Sequence, residues 1–496
     1  MTSEASPHPP AADGAPKDRP SLAALAVVLV GTFITVLDYF IANVAVPAIQ
    51  TDLGAGSAQA QAVIVGYGVT FTAGLITAGR LGDMFGRRRM FVTGMALFMV
   101  SSLACGIAPD VTTLVIARIV QGAAGALLVP QVLGIIGTVY TGPSRAKAFT
   151  VYGLVIGMAS VFAQVIGGAL ITLDVGGLGW RTIFLINIPI CLAALAFVHR
   201  TVPESRGAAH VRLDLPGTLL VTAALGVTVF TLVEGGHQDW PVWSWLGLSA
   251  SVALLAASAQ YMRKQGARGN SPLIEPALFR VRTFSMGLLA TLTYFLAMGS
   301  FFFILALYLQ LGRGMTAFQS GLAFLALGAG YFGASLVAAR ATTVTARSVA
   351  RGPVVLAVGY AGAALAATQL GVSGQIAWML PALVVAGVGM GMTTGPLTNF
   401  VLGSASPDHA ASASGLLNTA QEGGAVVGVA IAGLVFYPVL ADAANFTDDY
   451  ASAFAVTLLP LILFCAAAAT IVLASPARAT PAGGGPTESG ATADTR

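Results

Sequence analysis

Residues 79 to 90 read Gly79-Arg80-Leu81-Gly82-Asp83-Met84-Phe85-Gly86-Arg87-Arg88-Arg89-Met90. Three glycines and one acid are interleaved with a basic cluster. The stretches on either side, 58–82 and 89–107, are apolar and close to the roughly 20 residues that cross a bilayer. A short basic turn between two such stretches reads as a loop kept on the membrane side that favours Lys and Arg. Gly79 and Gly82 allow a neighbouring helix to come close, and Gly86 permits a tight turn. Asp83 places an anion at a helix end, where it can face the positive end of another helix. Topology alone explains Arg87, Arg88 and Arg89, but not the Gly-Asp-Gly spacing.

The pattern of apolar run and short polar turn continues outward along the chain. Of 496 residues, 56% are hydrophobic and only 9% charged, and the mean hydropathy is +0.83. A soluble domain carries about 25% charged residues. The composition therefore predicts an all-α polytopic membrane protein and excludes disordered, collagenous and disulfide-rich chains. Cys105, Cys191 and Cys465 all lie in apolar runs, without the spacing of a metal site. The net charge of +4 is too small to suggest nucleic-acid binding.

Apolar segments fall at 21–49, 58–82, 89–107, 112–138, 147–173, 181–200, 215–236, 242–262, 283–311, 316–339, 352–371, 376–403, 410–439 and 450–474. Fourteen spans follow, flanked by Pro/Ala-rich tails at 1–20 and 476–496 that read as disordered. With the N-terminus in the cytoplasm and alternating spans, all Lys and Arg except Arg118, Arg181 and Arg313 fall on the cytoplasmic side. Trp180, Trp240, Trp243, Trp245 and Trp378 then sit at outer helix ends, as an interfacial belt would. Both termini are expected in the cytoplasm.

Charges inside the spans are costly and are functional candidates by default. Asp38 lies in span one, Arg118 in span four, Glu234 near the outer end of span seven and Glu422 in span thirteen. A carboxylic acid at mid-membrane can take up a proton, because desolvation favours its neutral form, and a neighbouring arginine opposes that. Glu234 is close enough to the outer interface to be simply hydrated.

The 79–90 loop closely resembles the signature loop of the major facilitator superfamily. Asp38-Tyr39-Phe40-Ile41-Ala42-Asn43-Val44-Ala45-Val46-Pro47 resembles the first-helix motif of its fourteen-helix drug:proton antiporters. Arg118-Ile119-Val120-Gln121-Gly122, with Pro130 and Gln131 beyond, is similar to the arginine motif implicated there in proton coupling. Trp180-Arg181, Phe184 and Asn187-Ile188-Pro189 match the sixth-helix pattern, and Tyr308-Leu309-Gln310 and Gly415-Leu416-Leu417-Asn418-Thr419 recur in the same branch. The resemblance spans about residues 21 to 475. It implies two six-helix halves, 21–200 and 282–475, with two helices inserted at 214–264. It also implies that Gly79, Gly82, Asp83, Gly86, Arg87 and Arg88 form a cytoplasmic gate latching the halves, and that Arg118 takes part in proton coupling; the mid-membrane acids Asp38 and, as a possible second site, Glu422 are the expected proton carriers from their burial.

Two positions depart from that pattern. The branch places a Gly-Pro pair ahead of the Gly-Gly in span five, whereas Gly167-Gly168 here follows Ala163-Gln164. The missing proline removes an expected bend. Glu422 stands where related sequences more often carry an amide. A weak repeat links Gly122 to Pro130 in span four with Gly387 to Pro396 in span twelve. Transporters built from repeats bind substrate between the halves near the midplane. Polar or aromatic mid-span residues are therefore cavity candidates: Asn43, Tyr67, Gln121, Gln131, Gln164, Tyr294, Asn399, Asn418 and Gln421. Each could equally bridge helices by a hydrogen bond.

The expected function is proton-coupled efflux of lipophilic small molecules such as antibiotics, in a bacterial cytoplasmic membrane, by a monomer that needs no cofactor or metal. An importer or metabolite exporter of the same superfamily is the alternative. A polytopic membrane enzyme is the remote one, since neither a P-loop nor His-Glu-x-x-His is present. The small Lys content, only Lys17, Lys147 and Lys264, with abundant Ala and Gly, suggests a GC-rich bacterial genome.

Overall fold

The computed structural model describes residues 22–140, 142–206, 214–238, 240–268, 276–340, 343–405, 410–441, 446–476 and 480–481. The expected tail at 1–20 lies outside the described residues, as does the 476–496 tail except for residues 476, 480 and 481. Among the described residues, thirteen helices are long and apolar enough to cross a membrane. A fourteenth qualifies as a bent pair, Ser57–Leu75 and Thr77–Phe85, with 52° between its arms.

In chain order they are α1 Leu22–Leu53, α2 Ser57–Phe85, α3 Arg87–Gly106, α4 Val111–Val139, α5 Gly142–Leu173 and α6 Gly179–Thr201. Next come the inserted pair, α7 Leu215–His237 and α8 Val242–Ala267. The second set is α9 Arg282–Leu307, α10 Ala317–Ala339, α11 Ala346–Leu370, α12 Leu380–Leu402, α13 Ala410–Ala441 and α14 Phe446–Leu473. Thr343–Val344 and Thr480–Pro481 add a small antiparallel pair.

The helices start where side chains can satisfy free backbone N–H groups. Asp110 caps α4 by accepting from the Thr113 N–H at 2.9 Å, and Asp214 caps α7 by accepting from Gly217 N–H at 3.0 Å. Thr316 and Gln319 form a reciprocal capping box at α10.

Packing repeats itself. In the first set α2 lies on α4, α3 on α4, α1 on α5, and α6 on both α1 and α3. In the second set α10 lies on α12, α11 on α12, α9 on α13, and α14 on both α9 and α11. Adding eight to each helix number of the first list produces the second. The glycine repeat has its cause here. A Cβ at Gly122 would strike the Tyr67 carbonyl of α2, and one at Gly387 the Leu327 carbonyl of α10. Each glycine lets its helix approach a neighbour's backbone.

The two sets meet along two seams, α5 with α10 and α2 with α13, while α7 packs on both α2 and α13. The α5–α10 seam is tight from Gly168 against Ala317 to Gly157, where an added Cβ would lie 3.2 Å from Tyr331. Beyond that point, at Gly153 one turn further along the same face of α5, an added Cβ meets nothing within 4 Å. The opposite end is closed by further contacts: Gln310 donates to the Val44 carbonyl at 3.0 Å, and the Phe318 N–H to Thr172 Oγ1 at 3.3 Å. The bundle is thus closed at the Asp52 end and spread at the Asp83 end.

Candidate functional site

Asp38 is carried by α1 and Arg118 by α4, and both are completely buried. They form an ion pair through Arg118 Nη1 and Asp38 Oδ2. Their neighbours come from four helices. Arg118 Nε donates to the Val63 carbonyl of α2 at 3.1 Å, and Nη1 also donates to Gln121 Oε1 at 2.8 Å. Asp38 Oδ1 accepts from Gln121 Nε2 and from Asn187 Nδ2, each at 2.9 Å. The same two nitrogens also donate to Ser102 Oγ of α3, at 3.1 and 3.0 Å, and the Ser102 hydroxyl itself donates to the Phe184 carbonyl at 2.8 Å. The guanidinium lies over the Tyr67 ring, 4.3 Å from its centroid, with the Phe184 ring at 5.4 Å. These faces stabilise the cation away from water.

A buried ion pair survives only when its remaining donors and acceptors are met. Here Asp38 receives three donors, while Arg118 Nη2 stays without a partner. The arrangement holds a carboxyl and a guanidinium together, both wholly buried.

The 79–90 loop is built as a second cluster. Asp83 accepts from Arg87 Nε at 3.2 Å and Nη2 at 2.8 Å. Arg87 begins α3, so Asp83 at the end of α2 is paired with the first side chain of the next helix. Arg87 Nη1 donates to the Gly134 carbonyl at 2.9 Å, Arg88 N–H to Glu204 Oε1 at 3.0 Å, and Arg88 Nη1 to the Val202 carbonyl at 3.1 Å. Gly86 has φ of 106°, which side chains rarely adopt, and a Cβ there would lie 2.7 Å from Glu204. Gly82 accommodates the Gln131 amide, and Gly79 lies against Pro130. Among the described residues, every side-chain bond of Asp83, Arg87 and Arg88 ends on the first six helices or the segment just after them. The latch between the halves implied by the resemblance is absent among the described residues in this conformation.

Residues 28–429 match the Major Facilitator Superfamily. The chain belongs to this family. This facilitator is 35% identical over 446 residues to the "Probable actinorhodin transporter" of Streptomyces coelicolor, covering 89% of the chain and 77% of that relative. It is 32% identical over 475 residues to a cephamycin export protein of Amycolatopsis lactamdurans, covering 94% and 95%. A puromycin resistance protein of Streptomyces alboniger is 35% identical over 417 residues, covering 82% and 80%. Among solved structures, a POT family transporter in complex with 5-aminolevulinic acid superposes with a TM-score of 0.65 at 13% identity, covering 90% and 96%. A D-xylose-proton symporter does so at 0.60 and 15%, covering 89% and 96%. The structural likenesses show the shared fold. The chain is a multi-pass membrane transporter and not an enzyme.

Within this facilitator the expected cavity residues separate into two groups. Tyr67, Gln121, Gln131, Gln164, Tyr294 and Asn43 are buried and committed to neighbouring helices or their own. Tyr67 donates to the Thr35 carbonyl, Gln131 to Ala78, Gln164 to Phe40, Asn43 to Tyr39 and Phe40, and the Tyr294 hydroxyl meets Thr394. Asn399 is exposed, and Asn418, Gln421 and Glu422 are partly so. Among the described residues, only Gln421 of these makes a side-chain hydrogen bond, to Thr398 Oγ1 at 3.3 Å. Glu422 does not join the Asp38–Arg118 cluster. It stands within electrostatic range of Tyr39, Tyr67 and Tyr152, across the interface between the sets. Asn187 and Ser102 join the cluster around Asp38 although neither is among the expected site residues. Asn187 carries a sequence signal, its place in the Asn-Ile-Pro of the sixth-helix pattern, but Ser102 carries none.

The other two arginines placed away from the basic side are structural ties. Arg181 pairs with Asp52 and donates to the Ala108 carbonyl. Arg313 donates to the Gly371 and Gly374 carbonyls and to the Tyr308 hydroxyl. Each fastens a loop at the closed end.

Proposed function

We propose that this transporter exports lipophilic small molecules of the antibiotic class against a proton gradient, by alternating access, as a monomer in a bacterial cytoplasmic membrane with both termini in the cytoplasm. The wholly buried Asp38–Arg118 pair carries the reading. A proton on Asp38 would leave Arg118 as an uncompensated interior cation. Removing one member of a buried pair costs about 3–5 kcal/mol. Moving a two-state equilibrium from 1:99 to 99:1 takes about 5.5 kcal/mol. One proton therefore accounts for most of a switch between access states. The gradient supplies the energy, and no cofactor takes part.

The positive-inside rule places the spread, arginine-bearing end in the cytoplasm. A substrate entering there meets Asn399, Asn418, Gln421 and Glu422. The relatives' names, which speak of actinorhodin, cephamycin export and puromycin resistance, support the substrate class and the direction. The test uses proteoliposomes with puromycin as probe and an imposed pH gradient. Uphill puromycin movement that collapses with an uncoupler and is absent in Asp38→Asn is expected. Uncoupler-resistant uphill movement, or full activity in Asp38→Asn, overturns the reading.

A further inference from the structure

We propose that Asn187 is the positioning residue that reports the protonation state of Asp38, by rotating its side-chain amide when a proton arrives. This rests on the proposed role of Asp38 as the proton site.

The hydrogen-bond directions are fixed by elimination. Ser102 gives its only proton to the Phe184 carbonyl, so its lone pairs can only accept. Gln121 and Asn187 both present an NH2 to that hydroxyl and to Asp38 Oδ1. Both hydrogens of each amide are then used. Gln121 Oε1 is also committed, accepting from Arg118 Nη1 and from Cys105 Sγ at 3.4 Å. Every group touching Asp38 is a donor. The arrangement suits a carboxylate and offers no acceptor to a carboxyl O–H.

When one proton binds Asp38 Oδ1, the O–H confronts two N–H donors. Turning Gln121 would break its bonds from Arg118 and Cys105. Turning Asn187 breaks none of its carbonyl's bonds, because Asn187 Oδ1 is buried without a partner. A half-turn about the Cβ–Cγ bond of Asn187 exchanges Nδ2 and Oδ1 and brings that oxygen to Asp38 to accept the new proton. It gives up the two bonds that Nδ2 donates, to Asp38 and to Ser102, against the four that Gln121 would lose. Rotation is thus the least costly repair, and it moves a group on α6 in response to a proton on α1. The titratable and charged groups around this point are Arg118 from α4, Tyr67 from α2, Cys105 from α3, Cys191 from α6 and Tyr39 from α1. Glu422 on α13 faces the tyrosines.

The experiment is a pH titration of the full-length purified protein by infrared difference spectroscopy, following the protonated-carboxyl stretch that disappears in Asp38→Asn. In the wild type that band should lie at the lower frequency of a carboxyl donating to an amide oxygen. In Asn187→Leu it should rise to the free-carboxyl position, and its midpoint should move alkaline by about one pH unit, the carboxylate having lost a charge-assisted donor worth a ~1.4 kcal/mol preference. Ser102→Ala keeps every donor to Asp38 but removes the acceptor that restrains the amide. It should move the midpoint the same way by less, and it serves if Asn187→Leu does not fold. Unchanged band position and midpoint in a folded variant overturn the proposal while leaving Asp38 as the proton site. A band untouched by Asp38→Asn overturns both.

Discussion

Gln164 on α5 and Gly321 on α10 meet at backbone distance: a Cβ added to Gly321 would lie 2.5 Å from the Gln164 carbonyl oxygen. The Gln164 side chain turns the other way and donates to the Phe40 carbonyl of α1 at 2.9 Å. One residue thus joins three helices at the crossing where the related branch has a proline.

Replacing Gly321 by leucine should therefore hold the α5–α10 seam apart and cut transport at least tenfold. The check is a cysteine pair at Thr172 and Phe318, whose main-chain and side-chain atoms touch in this state. Cross-linking should fall in the Gly321→Leu background; undiminished cross-linking with normal flux would show that the seam tolerates the bulk.

Arg118→Leu should destabilise the protein by about 3–5 kcal/mol, since it strands a buried carboxylate, whereas Arg118→Leu with Asp38→Asn should recover most of that loss. Neither should drive uphill transport. Thermal unfolding in detergent reads the first expectation and flux the second. A single mutant as stable as the wild type would contradict the geometry of the pair.

Gly86→Val should fail to accumulate as folded protein, because a φ of 106° and the Glu204 carboxylate both exclude a branched side chain. Adding Glu204→Ala relieves only the collision. The backbone strain, about 1–3 kcal/mol, persists, so rescue should be partial. Size-exclusion yield of the single and double mutants measures it.

Glu422→Gln should reduce transport of cationic substrates more than of neutral ones, because the carboxylate stands partly open beside the tyrosines with no cation paired to it among the described residues. Competition between a protonated amine such as puromycin and a neutral probe in the same vesicles makes the comparison. An equal loss for both would remove Glu422 from substrate selection.

The fold was readable because each helix announces itself locally, by a run of apolar residues ended by a cap or a charge. Asp38 and Arg118 were readable for the complementary reason, that a charge in such a run demands a partner. Their partners were not. Gln121, Tyr67 and Gln131 have the same polarity whether they face a cavity or a neighbouring helix, and only the packing of α2 on α4 decides it. Ser102 is one small hydroxyl among many, and it matters because Gln121 of α4 and both Asn187 and Phe184 of α6 converge on it. The gate loop was legible as a motif. That Asp83 would pair with Arg87 rather than with the far half depends on which end of the bundle is open, a property of the conformation and not of the residues.

The position of α7 makes the two flanks of the transporter unequal. It is laid along both α2 and α13, with Thr77 and Thr218 hydroxyls in contact at 2.5 Å and Gly236 fitted to Leu434. The other flank, α5 beside α10, has no such cladding among the described residues. The flank left without cladding, where a Cβ added at Gly153 meets nothing within 4 Å, is therefore the side on which the transporter's own helices shield its interior least from the surrounding leaflet.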